Sequence, residues 1–201
     1  MAAKKSPTKK VAKPSKKTGA KDSWYVALLR GINVGTAKRI SMADLRSLVE
    51  GLGYSNVRTL LNSGNVVFAG KAKSSDEVAA QIEKELIKKV GISSRVTIVT
   101  GAEIATIIKD NPLLDTADNP SRLLVSVITN PADMAKLKPL EKQDWGKEAL
   151  AIGKRVTYQW CPDGVLDSPL LAAVGRLLRD GLTSRNWATM TKLNAIIEEN
   201  K

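Results

Sequence analysis

The sequence has no histidine, a single cysteine, a single phenylalanine and no long apolar run, and these shortages exclude whole classes of function. Without histidine there is no Ser-His-Asp or Cys-His triad and no imidazole to hold a metal. Cys161 has no partner for an intramolecular disulfide, which points to a reducing compartment and a cytoplasmic location. Nothing approaches the ~18 uninterrupted apolar residues of a membrane span. The chain also lacks a phosphate-binding Gly-x-x-x-x-Gly-Lys-Ser/Thr loop anywhere in Arg30–Ser41. Neither a cofactor nor a metal is implied.

What is present is basic. Lysine and arginine number 32 against 20 acids, a net charge of +12 in 201 residues, and 43% of the chain is hydrophobic. That suits one larger domain or two small ones. The charge is uneven. Residues 1–22 carry Lys4, Lys5, Lys9, Lys10, Lys13, Lys16, Lys17 and Lys21 against Asp22, which is +7 of the +12. With Pro7, Pro14 and almost no bulky apolar side chains, nothing there offsets ordering entropy, so the segment reads as a disordered basic arm. It lacks the apolar stretch of a secretory signal and the arginines of a mitochondrial presequence. Its chemistry suits nonspecific contact with nucleic-acid phosphates, a solubilising tail being the alternative.

The rest is punctuated by caps. Ser41, the Ser74/Glu77 and Thr100/Glu103 capping boxes, Asn130-Pro131 and Ser168-Pro169 open helices. Gly53, Asn111-Pro112 and Gly181 close them, and a last helix starts near Thr189 or Thr191. Strands are expected at 24–29, 57–61, 66–69, 95–99, 122–128, 149–152 and 155–160. Asn62-Ser63-Gly64-Asn65 makes one hairpin turn, and Gly153-Lys154 suits a two-residue type II′ turn. The order β-α-β-β-α-β, followed by β-α-β-β-α, is an α+β fold of two tandem ferredoxin-like (split βαβ) halves. The expected divisions are an arm (1–22), a first half (23–100), a helix with linker (101–121) and a second half with a C-terminal helix (122–201). One larger α+β sheet is the competing architecture.

Three stretches carry a resemblance: Tyr25-Val26-Ala27-Leu28-Leu29-Arg30-Gly31-Ile32-Asn33-Val34-Gly35, then Asn62-Ser63-Gly64-Asn65-Val66-Val67-Phe68, then Arg185-Asn186-Trp187-Ala188-Thr189-Met190-Thr191-Lys192-Leu193. In this order and spacing they resemble the bacterial domain-of-unknown-function family 1697 over roughly residues 24–197. The resemblance implies a two-part α+β fold and no particular activity. One departure is visible: Gly35-Thr36 stands where the family usually has paired glycines.

Chemistry must come from the residues. Arg30–Arg39 joins a strand to a capped helix and holds glycines, Asn33 and three cations with no acid, which suits an anion. The candidate ligand-binding set is Arg30, Asn33, Gly35, Asn62, Ser63, Asn65, Arg185, Asn186, Trp187, Thr189 and Lys192. For Trp187 a stacking platform competes with a core role. In a split-βαβ sheet the loop after the first strand and the turn near Asn62 can lie at opposite ends, which would divide the site. The expected function is binding of a phosphorylated small molecule or polyanion, with nonspecific nucleic-acid attraction through the arm. The alternative is a metal-independent, acylphosphatase-like hydrolase or transferase using Arg30 and one of Asn33, Asn62 or Asn65. RNA recognition by stacked aromatics is disfavoured, because Asn65–Gly70 lacks the required basic, glycine and paired-aromatic pattern. Asp163 and Asp167 read as caps of the Ser168 helix, and Cys161 as an inert thiol.

Removing residues 1–22 is expected to weaken binding to duplex DNA and to flatten its salt dependence, by up to ~7 units of log K per log salt if all eight lysines meet phosphates. Titration across a salt series reads this directly, and an unchanged slope removes the arm from the binding.

Overall fold

The computed structural model describes residues 22–35 and 38–201, so the lysine arm lies outside the described residues. Eight strands form two antiparallel four-stranded sheets. The first contains β1 (Ser23–Leu29), β2 (Ser55–Leu60), β3 (Asn65–Gly70) and β4 (Val96–Thr100) in the order β2-β3-β1-β4. The second contains β5 (Leu123–Ile128), β6 (Ala149–Ile152), β7 (Val156–Trp160) and β8 (Leu182–Asn186) in the order β6-β7-β5-β8. The two sheets therefore repeat one strand order, with the first strand of each set next to the fourth. The single continuous sheet is excluded.

Local chemistry sets most helix starts. Ser41 accepts from the Asp44 N–H at the head of α1 (Met42–Glu50). Complete capping boxes open α2 (Ser75–Val90) and α3 (Gly101–Lys109). Asn130-Pro131 starts a 3₁₀ turn (Pro131–Leu137) that continues as the short α4 (Lys138–Glu141). Ser168 caps α5 (Pro169–Leu178), and α6 (Trp187–Glu198) ends the fold. No described helix is long and apolar enough to cross a membrane.

Alternation along the strands then builds three cores. Tyr25, Ala27, Leu29, Val66 and Phe68 face α1 and α2, which supply Leu45, Leu48, Val49, Val78, Ile82 and Leu86. The opposite face, Val26, Leu28, Val67 and Val99, meets Val125, Val127, Val156 and Tyr158 of the second sheet, with Ile104 of α3 and Met190, Leu193 and Ile197 of α6. Beyond the second sheet, Ile128 and Leu182 pack under α4 and α5 with Leu140, Leu170 and Val174. Each sheet is thus covered on both faces, and the middle core welds them together.

The structure corrects several expectations. α1 closes at Gly51, while Gly53 takes the left-handed turn before β2. Leu178 ends α5, and a 3₁₀ turn over Arg179–Gly181 separates it from β8. Gly153 is not left-handed, as a type II′ turn requires; the pairing Ile152↔Thr157 instead leaves Lys154-Arg155 at the tip. Asp163 pairs with Lys147, and the Leu170 N–H is taken by Glu148, so neither Asp163 nor Asp167 caps α5. β8 itself was not expected from its polar sequence, although it carries the most consequential arginine.

Gly64 shows how tightly the β2–β3 turn is set. Its φ is +74°, and a Cβ there would stand 2.8 Å from Leu29 Cβ. Backbone strain and overpacking act together, so Gly64→Ala is expected to cost ~2–4 kcal/mol. Urea unfolding of the variant tests this, and a loss below ~1 kcal/mol would show that the turn relaxes.

Candidate functional site

The first two motif stretches and Arg185 of the third converge at one end of the first sheet. The pairing fixes this: β1 and β2 both run antiparallel to β3, so the loop leaving β1 and the turn leaving β2 emerge on the same side. The Leu29 N–H donates to Gly64 C=O at 2.9 Å, and Asn33 Nδ2 donates to Asn62 C=O at 2.8 Å. The anticipated separation at opposite ends of the sheet does not occur.

Asn33 organises the loop after β1. Its φ of +57° lies in the left-handed region that asparagine tolerates. The side chain donates to Ile40 C=O and accepts from the Ile40 N–H, both at 3.0 Å, tying Asn33 to Ile40. Gly35, also left-handed, is exposed, and its C=O accepts from Arg39 Nη2 at 2.9 Å. Asn65 is fully buried and ties the turn: Nδ2 donates to Leu60 C=O and Ser63 Oγ, each at 2.9 Å.

Arg185 enters from β8 in the other sheet. Because Val125 pairs with Arg185, its side chain shares the face of Val125 and Val127 and points at the first sheet. Nε donates to Asn65 Oδ1, Nη2 to Leu29 C=O at 2.8 Å and Ser63 C=O at 3.0 Å, and Nη1 to Ser184 C=O at 2.8 Å. Four of the five guanidinium N–H groups are therefore committed. Burial pushes its pKa down to about 10, which leaves it charged at neutral pH. Two residues away along β8, Thr183 Oγ1 meets Thr97 Oγ1 at 3.0 Å.

Arg30 makes the reciprocal crossing from β1. Nη1 donates to Leu182 C=O at 2.5 Å, and Nη2 pairs with Asp180 at 3.3 Å. The carboxylate is 85% exposed, so this ion pair contributes little beside the carbonyl bond. Asn186 supplies the cap of α6: Oδ1 accepts from the Thr189 N–H at 2.9 Å and hydroxyl at 2.6 Å. This replaces the expected threonine cap. Thr189 is buried, and Trp187 packs half-buried against the middle core, as a docking residue would. Lys192 stands exposed on α6 and joins neither arginine.

The structure thus gathers Arg30, Asn33, Asn62, Ser63, Asn65 and Arg185, but as a closed polar junction. None of the five principal surface cavities is lined by them. What remains open at this end is a rim: Gly31, Val34, Gly35, Lys38, Arg39, Asn62, Ser63 and Arg95 are exposed. Sequence reasoning overlooked Arg95, whose C=O accepts from the Arg30 N–H at 2.9 Å. Its only signal was its position opposite Arg30 at the start of β4. Cys161 is buried, and its thiol is pushed up to about 11, chiefly by desolvation, consistent with low reactivity.

A family model described as "Protein of unknown function (DUF1697)" matches residues 23–158. No curated protein matches the chain. Among solved structures, the conserved bacterial protein SP0830 from Streptococcus pneumoniae superposes with a TM-score of 0.69 at 21% identity, over 88% of this chain and 99% of that one. At that identity the likeness concerns the fold.

Replacing Arg185 by methionine keeps the bulk and leaves Asn65 Oδ1 and the Leu29 and Ser63 carbonyls without their donor. The expected loss is ~2–4 kcal/mol, with at most partial recovery in Arg185→Lys, which cannot reproduce the planar fork. Denaturant unfolding of both variants measures it. Equal stability of wild type and Arg185→Met would show that the junction holds nothing together.

Proposed function

We propose that the chain, which belongs to the DUF1697 family of proteins of unknown function, binds polyanions through the rim formed by residues 31–35, 38, 39 and 95. Its body is read as two ferredoxin-like halves, 23–100 and 122–201, joined through 101–121. The repeated strand order in the two sheets supports that reading. One observation carries the binding site: Lys38, Arg39 and Arg95 are exposed beside the junction, and none forms an ion pair among the described residues. Beneath them sits the charged Arg185, and among the described residues the only acid bonded to the junction is Asp180.

Exposed cations attract phosphates without reading sequence, and the attraction falls with salt. This fits a nucleic acid or another extended phosphate polymer better than a small phosphate ester, which needs a concave site with converging donors. The lysine arm adds charge of the same sign. The motif arginines act as scaffold: they hold the loop in place while their own donors serve main-chain carbonyls. The acylphosphatase-like alternative needs Arg30 free to grip phosphate, and its donors to Leu182 and Asp180 leave that reading with less support.

The double variant Lys38→Glu/Arg39→Glu is expected to weaken binding of a nonspecific DNA duplex at least ~10-fold at low salt and to reduce the salt slope by about 2. Its unfolding midpoint stays near wild type, because both side chains lie outside the cores. Fluorescence anisotropy across a salt series measures affinity and slope together; unchanged values in both would refute the rim.

A further inference from the structure

The outer edge of β4 is open in an unusual way. Strand β4 is last in its sheet and pairs only with β1. The Arg30 N–H donates to Arg95 C=O, which fixes the phase: Thr97 and Val99 turn their main-chain groups toward β1, while Val96, Ile98 and Thr100 turn theirs outward. Three of these outward groups are taken by side chains. The Val96 N–H donates to Glu83 Oε1 at 2.8 Å, Arg155 Nη2 donates to Ile98 C=O at 2.6 Å, and the Thr100 N–H donates to Glu103 Oε2 at 2.8 Å. Between them the C=O of Val96 and the N–H of Ile98 have no partner among the described residues. Both belong to residues only 2% exposed, where unpaired main-chain groups are rare. They line a groove of about 270 Å³, and so does Thr129, whose buried hydroxyl also lacks a partner.

We propose that this groove receives an extended peptide segment, added to the sheet parallel to β4. The free pair, taken with the filled groups on either side of it, defines the direction. In a parallel ladder one residue donates its N–H to the residue before its opposite number and accepts from the residue after it. A residue opposite Thr97 does this with Val96 C=O and Ile98 N–H. An antiparallel strand opposite Thr97 would reach the same two groups, but it would set the carbonyl of one flanking residue against the Val96 N–H already filled by Glu83 and the N–H of the other against the Ile98 C=O already filled by Arg155. The same two side chains limit the added ladder to this single complete step, which also guards the edge against indiscriminate pairing.

The walls define the peptide's side chains. Val96 and Ile98 face α2, so residues flanking the central one point toward Ala79, Ala80, Asp76 and Glu83. Two alanines leave room for long stems, and two carboxylates favour basic ends. Thr97 faces the second sheet, so the central residue points toward Thr129, Arg155 and Arg95. Arg155 is already paired with Glu103 at 3.1 Å, so it is the Arg95 guanidinium there that favours a carboxylate. The occupant is a strand with an acidic residue between two basic ones, on a partner protein. This surface shares Arg95 with the polyanion rim, but the free main-chain pair that defines it does not depend on that rim.

The probe is a blocked peptide, Gly-Ser-Lys-Asp-Lys-Ser-Gly, titrated into the full ¹⁵N-labelled chain. Saturable shifts are expected at the Thr97 and Ile98 amides, with slowed hydrogen exchange at Ile98. Methylating the central aspartate nitrogen removes the donor to Val96 and should weaken binding about tenfold, as should exchanging charges to Glu-Lys-Glu. Ala80→Trp, on the exposed side of α2, should fill the groove and abolish the shifts while thermal stability persists. Absence of any shift at Ile98 with millimolar peptide overturns the proposal, as does equal binding of the N-methylated form. If adenosine, which also presents an adjacent donor and acceptor, moves Ile98 and the peptide does not, the slot reads a heterocycle and the strand proposal fails.

Discussion

The fold depends on one guanidinium crossing between two sheets. Hydrophobic burial brings the sheets together, since Val26, Leu28, Val67 and Val99 have nowhere to go but against Val125, Val127 and Tyr158. Burial is non-directional, however, and an apolar interface alone leaves the sheets free to slide. Arg185 removes that freedom. Its planar fork meets the end of β1, the tip of the β2–β3 turn and the Asn65 side chain at once, and only one relative placement satisfies all three. Arg30 repeats the crossing in the other direction on Leu182, so the two strands are pinned by reciprocal side chain to main chain bonds. The arrangement avoids pairing Arg185 with a buried carboxylate; dipolar carbonyls satisfy the cation instead.

That pinning holds the described residues of the neighbouring loops in place despite their conformational demands. Gly31, Asn33, Gly35, Lys38, Leu61 and Gly64 all hold positive φ within two short segments. Each such residue is costly unless the surroundings over-determine it. Here they do: Asn33 bridges the loop to the turn, Asn65 ties the turn to β2, and Arg185 ties the turn to the second sheet. The glycines and asparagines that look like a ligand cradle in the sequence are the residues whose backbones can accept this geometry. Leu61 and Lys38 pay the strain without that tolerance, and both are exposed at the rim.

Much of the architecture was written locally. Capping boxes at Ser74/Glu77 and Thr100/Glu103 act over four residues, so spacing alone located α2 and α3. Strands with a continuous apolar run, such as β1, or with apolar alternation, such as β7, were equally legible. β8 was not, because Leu-Thr-Ser-Arg-Asn has little strand propensity and becomes a strand through its pairing with β5 and its anchored arginine. The start of α6 slipped for a related reason: Asn186 and Thr189 are both competent caps, and the choice follows from where β8 ends. For the site, sequence identified the residues that meet but not what they meet. Arginine and asparagine are compatible with a bound phosphate or with a row of carbonyls, and only tertiary placement reveals which acceptors are already there.

The distinction bears on how charge is divided in this molecule. A cation with its donors committed contributes a field but no specific contact; an exposed one contributes both, at the cost of screening by salt. Arg185 is of the first kind, and Lys38 and Arg39 are of the second. The loop that carries the exposed pair is held by the residues beneath it, so scaffold and surface are coupled through Asn33 rather than merged in one pocket. Substitutions at the two levels therefore separate cleanly in principle: those below change stability and, through it, loop position, whereas those above change affinity alone. A lysine at position 185 would test the coupling most sharply, since it retains the charge beneath the rim while losing the fork that sets the register of the sheets.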